Sequence, residues 1–197
     1  MRIGELKIDN TSGTITIFTQ GCNLKCINCK VPHFIEKDAF YLLEEPNKFI
    51  DKNIKKIIIR GGEPTIQEGL LDFLKFVKKQ FPGVLIELHT NGTKPGVLNK
   101  IITNHLVDYI VVYIKHAFIK YNKITSFNNK IDWNCIYKSC LLVKKSGIAH
   151  EFIVNINKGL HEVSDIASLN LLLGSEVKLE FDKSFTAFEI DSFKSRL

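Results

Sequence analysis

Apolar runs rich in Ile and Val recur along the chain at Thr14–Thr19, Lys56–Arg60, Val84–Leu88, Tyr109–Ile114, Glu151–Ile156 and Val177–Phe181. Runs of this length predict strands buried in a parallel sheet. Between them lie segments of helical periodicity, near Pro46–Asp51, Gln67–Gln80, Pro95–His105, Asp132–Ser146 and His161–Leu173. Pro95 suits a first helical turn, Asp132 an N-cap and Gly147 a C-terminal stop. Repeated alternation of strand and helix implies right-handed βαβ crossovers and an α/β fold. The expected architecture is a partial (β/α)6 TIM-like barrel with a parallel sheet, short of the eight units that close a full barrel, with function on the loops at the carboxyl ends of the strands. Ala117–Lys130, rich in Lys and Asn, predicts a long exposed loop, and no element is assigned to Asp182–Leu197.

At 197 residues, 45% hydrophobic and 24% charged, the chain can bury one substantial core, so residues 1–197 are expected to form a single domain. No apolar run reaches the roughly 18 residues that span a bilayer, and Met1–Asn10 alternates polar with apolar residues. A cytoplasmic protein without a membrane partner is expected. The 27 Lys and Arg exceed the 21 Asp and Glu, giving a net charge of +6. These basic residues are dispersed, which fits a solvated surface better than a nucleic-acid site.

The cysteines change the picture. Three of the five fall in Gly21-Cys22-Asn23-Leu24-Lys25-Cys26-Ile27-Asn28-Cys29, directly after the first predicted parallel strand. Three soft ligands on one loop suit zinc or iron. With His33 as a fourth ligand the group could hold structural zinc, whereas a 4Fe-4S cubane on three cysteines keeps one iron free of protein ligands. Cys135 and Cys140 are five residues apart and do not stack on one helical face. Trp133, Ile136, Cys140 and Val143 form a helical stripe instead, so these two cysteines read as packing residues. Gly61-Gly62-Glu63-Pro64 follows the second predicted parallel strand, and residues without a Cβ there serve either a turn or a ligand's approach to the backbone. Thr90 and Asn91 end the third, where Asn91-Gly92 also reads as a turn.

The Cys-x3-Cys-x2-Cys spacing resembles the radical S-adenosylmethionine (SAM) enzymes. Phe18–Leu24, Gly61–Thr65, Thr90–Thr93, Leu106–Tyr109 and Lys145–Gly147 are similar, in the same order, to the activating enzymes of glycyl-radical enzymes. The likeness is greatest to the branch labelled anaerobic ribonucleoside-triphosphate reductase activating protein. That resemblance implies a 4Fe-4S cluster on Cys22, Cys26 and Cys29, with SAM on the open iron. It also implies reductive cleavage of SAM to a 5′-deoxyadenosyl radical, a glycyl-radical enzyme or similar protein as substrate, and a flavodoxin- or ferredoxin-type electron donor. Gly61, Gly62 and Glu63 are implied beside the SAM amino group, Thr90 and Asn91 beside the ligand, Lys115 near the SAM carboxylate, and Asn28 and Lys30 on the adenine side. No further catalytic side chain is implied. Deazapurine-type chemistry on a small molecule or tRNA-linked substrate, and a non-catalytic iron-sulfur or zinc protein, are the competing readings.

The sequence departs from the family pattern at the cofactor site itself. Asn28 stands where an aromatic residue is usual and Lys30 where His or Gln is common. His89 and Tyr113 replace two aspartates, and Ile153 replaces an arginine. His89 is left as a buried neutral histidine, a ligand-contacting base or a strand-end residue. His116, His150 and His161 carry no pattern beyond surface or capping roles.

Overall fold

The computed structural model describes residues 1–27, 29–35, 41–42, 48–117, 120–121, 131–174 and 177–197. Among the described residues, eight strands form one sheet: β1 (Arg2–Asp9), β2 (Thr14–Thr19), β3 (Tyr41–Leu42), β4 (Lys56–Gly61), β5 (Leu85–Thr90), β6 (Tyr109–Ile114), β7 (Ala149–Ile156) and β8 (Lys178–Phe181). Their spatial order is β3-β1-β2-β4-β5-β6-β7-β8. From β2 onward every neighbouring pair is parallel, so the six carboxyl ends gather on one side. The end strands β3 and β8 do not pair with each other, and the barrel stays open. An expected six-unit half-barrel is therefore what forms.

The sheet has one feature beyond that expectation. β1 pairs antiparallel with β2 through a turn in which Asp9 accepts N–H groups from Thr11 and Ser12, and β3 pairs antiparallel with β1. Gly13 closes the turn at φ +66°, a left-handed conformation that favours glycine.

Among the described residues, five α-helices pack outside the sheet: α1 (Leu70–Gln80), α2 (Pro95–Thr103), α3 (Trp133–Lys145), α4 (Val163–Leu173) and α5 (Ala187–Lys194). Residues of alternating register, including Ile57, Ile59, Ile86, Leu88, Ile110, Val112 and Val154, form the core with Leu74, Val77, Ile101, Ile136, Cys140 and Ile166 of the helices. The opposite register is mixed, with Val111 and Ile153 among polar and charged side chains. Lys56, Arg60, Glu87, His89, Tyr113, Glu151 and Asn155 face the concave side, where they line cavities instead of packing in closed layers. The strands are thus fully buried mainly on one face, and the other face is partly exposed and more polar.

Several helix boundaries move for local reasons. Gly69 at φ +82° holds the start of α1 back to Leu70, and His105 at φ +51° follows the early end of α2. Asp132 caps α3 as its sequence suggests, accepting the Asn134 N–H at 3.0 Å. The helix expected at Pro46–Asp51 lies partly outside the described residues. Its described part, 48–51, has no α-helix, and Asp51 instead accepts the N–H of Asn53 in a turn. Most of 117–130 also lies outside them, while Ala117 and Tyr121 are buried rather than exposed. No helix among the described residues is long and apolar enough to cross a membrane.

Candidate functional site

The loop after β2 is docked by its backbone. Gly21 and Cys22 donate N–H groups to the carbonyls of Phe34 and Ile35, and Glu63 donates its N–H to the Gly21 carbonyl at 2.9 Å. That contact explains the glycine pair. A Cβ on Gly62 would stand 2.1 Å from the Gly21 oxygen, and one on Gly61, at φ +113°, 2.5 Å from the Thr19 nitrogen. The space beside the pair is filled by the cysteine loop and β2, so the first role of these glycines is chain packing rather than ligand approach.

A cavity of about 250 Å³ opens above this loop. Its wall contains Cys22, Cys26 and Cys29 together with Gly61, Gly62, Glu63, Thr90, Asn91, Lys30 and Lys115. Every site residue expected from sequence borders this one space except Asn28, which lies outside the described residues. His33 does not join it: that residue is exposed, and its ring lies 4.1 Å from Phe34. All three loop cysteines are free thiols. Burial, with the Glu63 carboxylate next in effect, pushes the Cys22 thiol up to about 12, and burial raises Cys26 against the pull of Lys115. An electropositive group shared by these sulfurs would offset that cost. The Leu24 N–H already points at Cys22 Sγ at 3.4 Å, and Asn91 Nδ2 lies 4.0 Å from it. The residues present fit a cluster held by three thiolates with hydrogen bonds to sulfur.

Glu63 is almost fully buried, 1% exposed. Its Oε1 accepts from the Thr65 N–H (3.0 Å), the Thr65 hydroxyl (2.5 Å) and the Thr90 hydroxyl (2.6 Å), and its Oε2 accepts the Asn91 N–H at 2.6 Å. Burial nevertheless holds its pKa above the ordinary carboxylate value. Glu63 thus ties the end of β4 to the end of β5, a structural role beside the expected contact with the SAM amino group, for which Oε2 keeps capacity. Asn91 in turn donates to Asn23 Oδ1 (3.0 Å), and Asn23 donates to the Thr93 hydroxyl (2.7 Å), lashing the cysteine loop to the same strand end.

Lys115 stands at the end of β6 with Nζ 4.9 Å from the Tyr113 ring centre. Its backbone is pinned by groups the sequence did not reveal. The Lys115 N–H donates to the Tyr121 hydroxyl and its carbonyl accepts Nε2–H of His161, each at 2.9 Å. The rings of His161 and His116 stack at 4.4 Å, and Nε2–H of His116 donates to the Leu160 carbonyl. Both histidines are buried, and only the pairing of β6 with β7 brings them together. Lys30 reaches across the mouth to Glu180 of β8, Nζ to Oε2 2.6 Å. Its ammonium therefore joins the two sides of the open barrel rather than lying free on the cofactor wall.

His89 is 9% exposed and neutral, since burial lowers its pKa more than the Glu87 hydrogen bond raises it. Its Nε2 lies 2.5 Å from Glu87 Oε1, which accepts the proton, and Glu87 is also held by Lys56 at 2.6 Å. Tyr113 lies 5.7 Å away, ring to ring. Ile153 is buried beside a second cavity of about 560 Å³ on the concave face.

The profile of the radical SAM superfamily matches residues 16–168. The chain belongs to that superfamily. Its cofactors are accordingly a 4Fe-4S cluster and SAM. Two proteins of Methanocaldococcus jannaschii described as candidate glycyl-radical enzyme activating enzymes are each 34% identical, over 54% and 64% of this chain and 45% and 49% of their own lengths. A 7-carboxy-7-deazaguanine synthase of Clostridium acetobutylicum is 30% identical over 42% of the chain and 39% of its own length. The chain thus spans about half or less of these relatives. Among solved structures, anSMEcpe with bound AdoMet and Cp18Cys peptide matches with TM-score 0.59 at 16% identity, covering 82% of this chain and 47% of that one. Archaeal TYW1 matches with TM-score 0.61 at 15% identity, covering 95% and 72%. At these identities the likeness is one of fold.

Proposed function

We propose that the chain is a radical SAM oxidoreductase that generates a radical on a protein partner, as glycyl-radical enzyme activating enzymes do. The observation that carries this is the open sheet: β3 and β8 do not pair, and a polypeptide segment would reach the cofactor cavity through that gap once the Lys30–Glu180 ion pair across its mouth opens. The names of the two Methanocaldococcus jannaschii relatives point the same way.

When bound, the reduced cluster supplies the electron that cleaves SAM to methionine and a 5′-deoxyadenosyl radical. The chain's residues set the geometry. Cys22, Cys26 and Cys29 hold the cluster on a loop fixed by Gly62 and Asn91. Glu63 offers Oε2 to the SAM amino group, with Gly61, Gly62, Thr90 and Asn91 shaping that wall. Lys115 would meet the SAM carboxylate and Lys30 would serve the adenine side, where the resemblance also implies Asn28. All of these lie in one domain, and a flavodoxin- or ferredoxin-type protein is the electron donor.

The test is an anaerobic mixture of reconstituted chain, SAM, a reductant and the glycyl-radical enzyme encoded nearest its gene. A glycine-centred radical on that partner, matched by 5′-deoxyadenosine, supports the reading. SAM cleavage unaffected by the partner but stimulated by a guanine nucleotide would replace it with the small-molecule alternative.

A further inference from the structure

The cations lining the two cavities fall into two groups. Lys30 and Lys56 hold Glu180 and Glu87, each at 2.6 Å, and Lys178 holds Glu151 at 3.2 Å. Arg60 and Lys115 hold no carboxylate. Both line the cavity shared with the cysteines, both are partly buried, and among the described residues neither side chain has an ion pair or a hydrogen bond. Each lies near a ring instead, the Arg60 guanidinium carbon 5.9 Å from the centre of Phe18 and Lys115 Nζ 4.9 Å from that of Tyr113.

A charge partly withdrawn from water without an anion is unfavourable, so both cations call for a partner. The Arg60 nitrogens are not sealed off. Among the described residues the fully buried side-chain atoms without a partner are His89 Nδ1 and Asn155 Oδ1 alone, so solvent reaches the guanidinium. The two cations also serve different ends of the cavity. Burial raises the Cys22 and Cys26 thiols and Lys115 pulls both back, which places its charge at the cysteine end. Arg60, opposite Phe18 in the β2–β4 register, acts elsewhere: burial lowers His89 and raises Tyr113, and the Arg60 charge lowers both. His89 and Tyr113 border both cavities, so Arg60 stands on the side of the cofactor cavity that adjoins the concave one.

That position narrows the ligand's chemistry. A guanidinium presents parallel N–H donors that match the two oxygens of a carboxylate. One unpaired charge balances one monoanion. The concave cavity offers no further unpaired cation among the described residues, because Lys56 and Lys178 are already held, and it adds the carboxylates of Glu87, Glu151 and Glu180. A phosphate dianion or a polyphosphate would retain charge that this wall leaves uncompensated.

We infer that Arg60 is a substrate-binding residue that takes a carboxylate of the substrate in a two-oxygen ion pair, while Lys115 serves the cofactor. This rests on the reading of the substrate as a glycine-bearing polypeptide, to which it adds an Asp or Glu beside the glycine. Arg60 and the cluster cysteines border one cavity of about 250 Å³, so that acidic residue lies within about two positions of the glycine along an extended chain.

The experiment uses SAM-loaded, anaerobically reconstituted protein and acetylated, amidated pentapeptides of Ala with a central glycine. Each peptide carries Asp at one of the remaining positions and is compared by calorimetry with its Asn counterpart. The parent is expected to bind at least one Asp peptide about tenfold tighter than its Asn counterpart, as one charge-assisted pair implies. In Arg60→Gln that ratio is expected to fall to about one, and in Arg60→Lys to stay above about threefold, since a point charge keeps the attraction without the fork. SAM affinity in Arg60→Gln is expected to stay within about threefold of the parent. Peptides bound without an Asp preference, a preference that survives Arg60→Gln, or an about tenfold loss of SAM affinity in that variant would overturn the inference. Inorganic phosphate or GTP bound through Arg60 more tightly than the Asp peptides would overturn it too. Glutarate separates the sources of the carboxylate. Arg60-dependent binding of glutarate with no peptide bound contradicts a polypeptide substrate and leaves the carboxylate role of Arg60 standing, whereas binding of neither probe refutes that role.

Discussion

At the level of single residues, the meeting of the three cysteines on one cavity wall was legible because their spacing keeps them on a single short loop. Replacing Cys22, Cys26 or Cys29 by Ala is expected to abolish stable cluster loading, measured as iron and sulfide after anaerobic reconstitution, while Cys140→Ala leaves loading intact. Full loading of Cys26→Ala would contradict the ligand assignment. Glu63 was legible as a residue of the cavity wall but not as a structural one, because its four donors come from Thr65, Thr90 and Asn91, two of them at the end of a strand more than twenty residues away. Glu63→Ala leaves those buried donors unpaired and is expected to cost roughly 2–4 kcal/mol in denaturant midpoints, beyond any effect on SAM binding. A variant as stable as the parent would show that water or rearrangement replaces the carboxylate.

Among elements, the parallel strands were legible from their Ile and Val runs, and β1 was not. In β1 only Ile3 is buried, and the strand is formed by pairing with β2 rather than by an apolar face of its own. α5 was missed although a signal existed: Thr186-Ala187-Phe188-Glu189 is a capping box, with the Thr186 N–H donating to Glu189 at 2.9 Å and the Glu189 N–H donating to the Thr186 hydroxyl. The stacked His116 and His161 carried no sequence cue, because their contact exists only once β6 and β7 pair. It gives the fold a pH dependence. Burial holds His161 and His89 below the ordinary histidine value, so the unfolded chain binds more protons as pH falls through about 6.5. Stability from these groups is fully present above that pH and is lost as pH drops toward their folded values. Urea midpoints are expected to fall between about pH 7 and pH 5, and less so in His161→Gln. A flat profile for the parent over that range would contradict two buried neutral rings.

For the whole molecule, the decisive feature is that the core and the site occupy different faces of one sheet. Ile59, Leu88, Val112 and Val154 pack outward on the helices, and of the cysteine loop's apolar residues Leu24 is buried while Ile27 is not. Removing the metal is therefore expected to leave the secondary structure by circular dichroism almost unchanged, whereas Leu88→Ala costs about 2–5 kcal/mol. A chain that unfolds on chelation would be one whose metal is structural. The alternation of faces also explains why the half-barrel was readable and its polar interior was not: the run pattern reports burial, while Lys56, Glu87 and Glu151 are only partly buried and line a cavity. The account's central claim, a site-differentiated cluster on Cys22, Cys26 and Cys29 that binds SAM beside Glu63 and Lys115, is tested most directly by metal analysis and electron paramagnetic resonance of anaerobically purified protein. It predicts about four iron and four sulfide per chain, with a reduced-cluster spectrum that changes when SAM is added. One zinc per chain without iron, or a cluster spectrum indifferent to SAM, would contradict it.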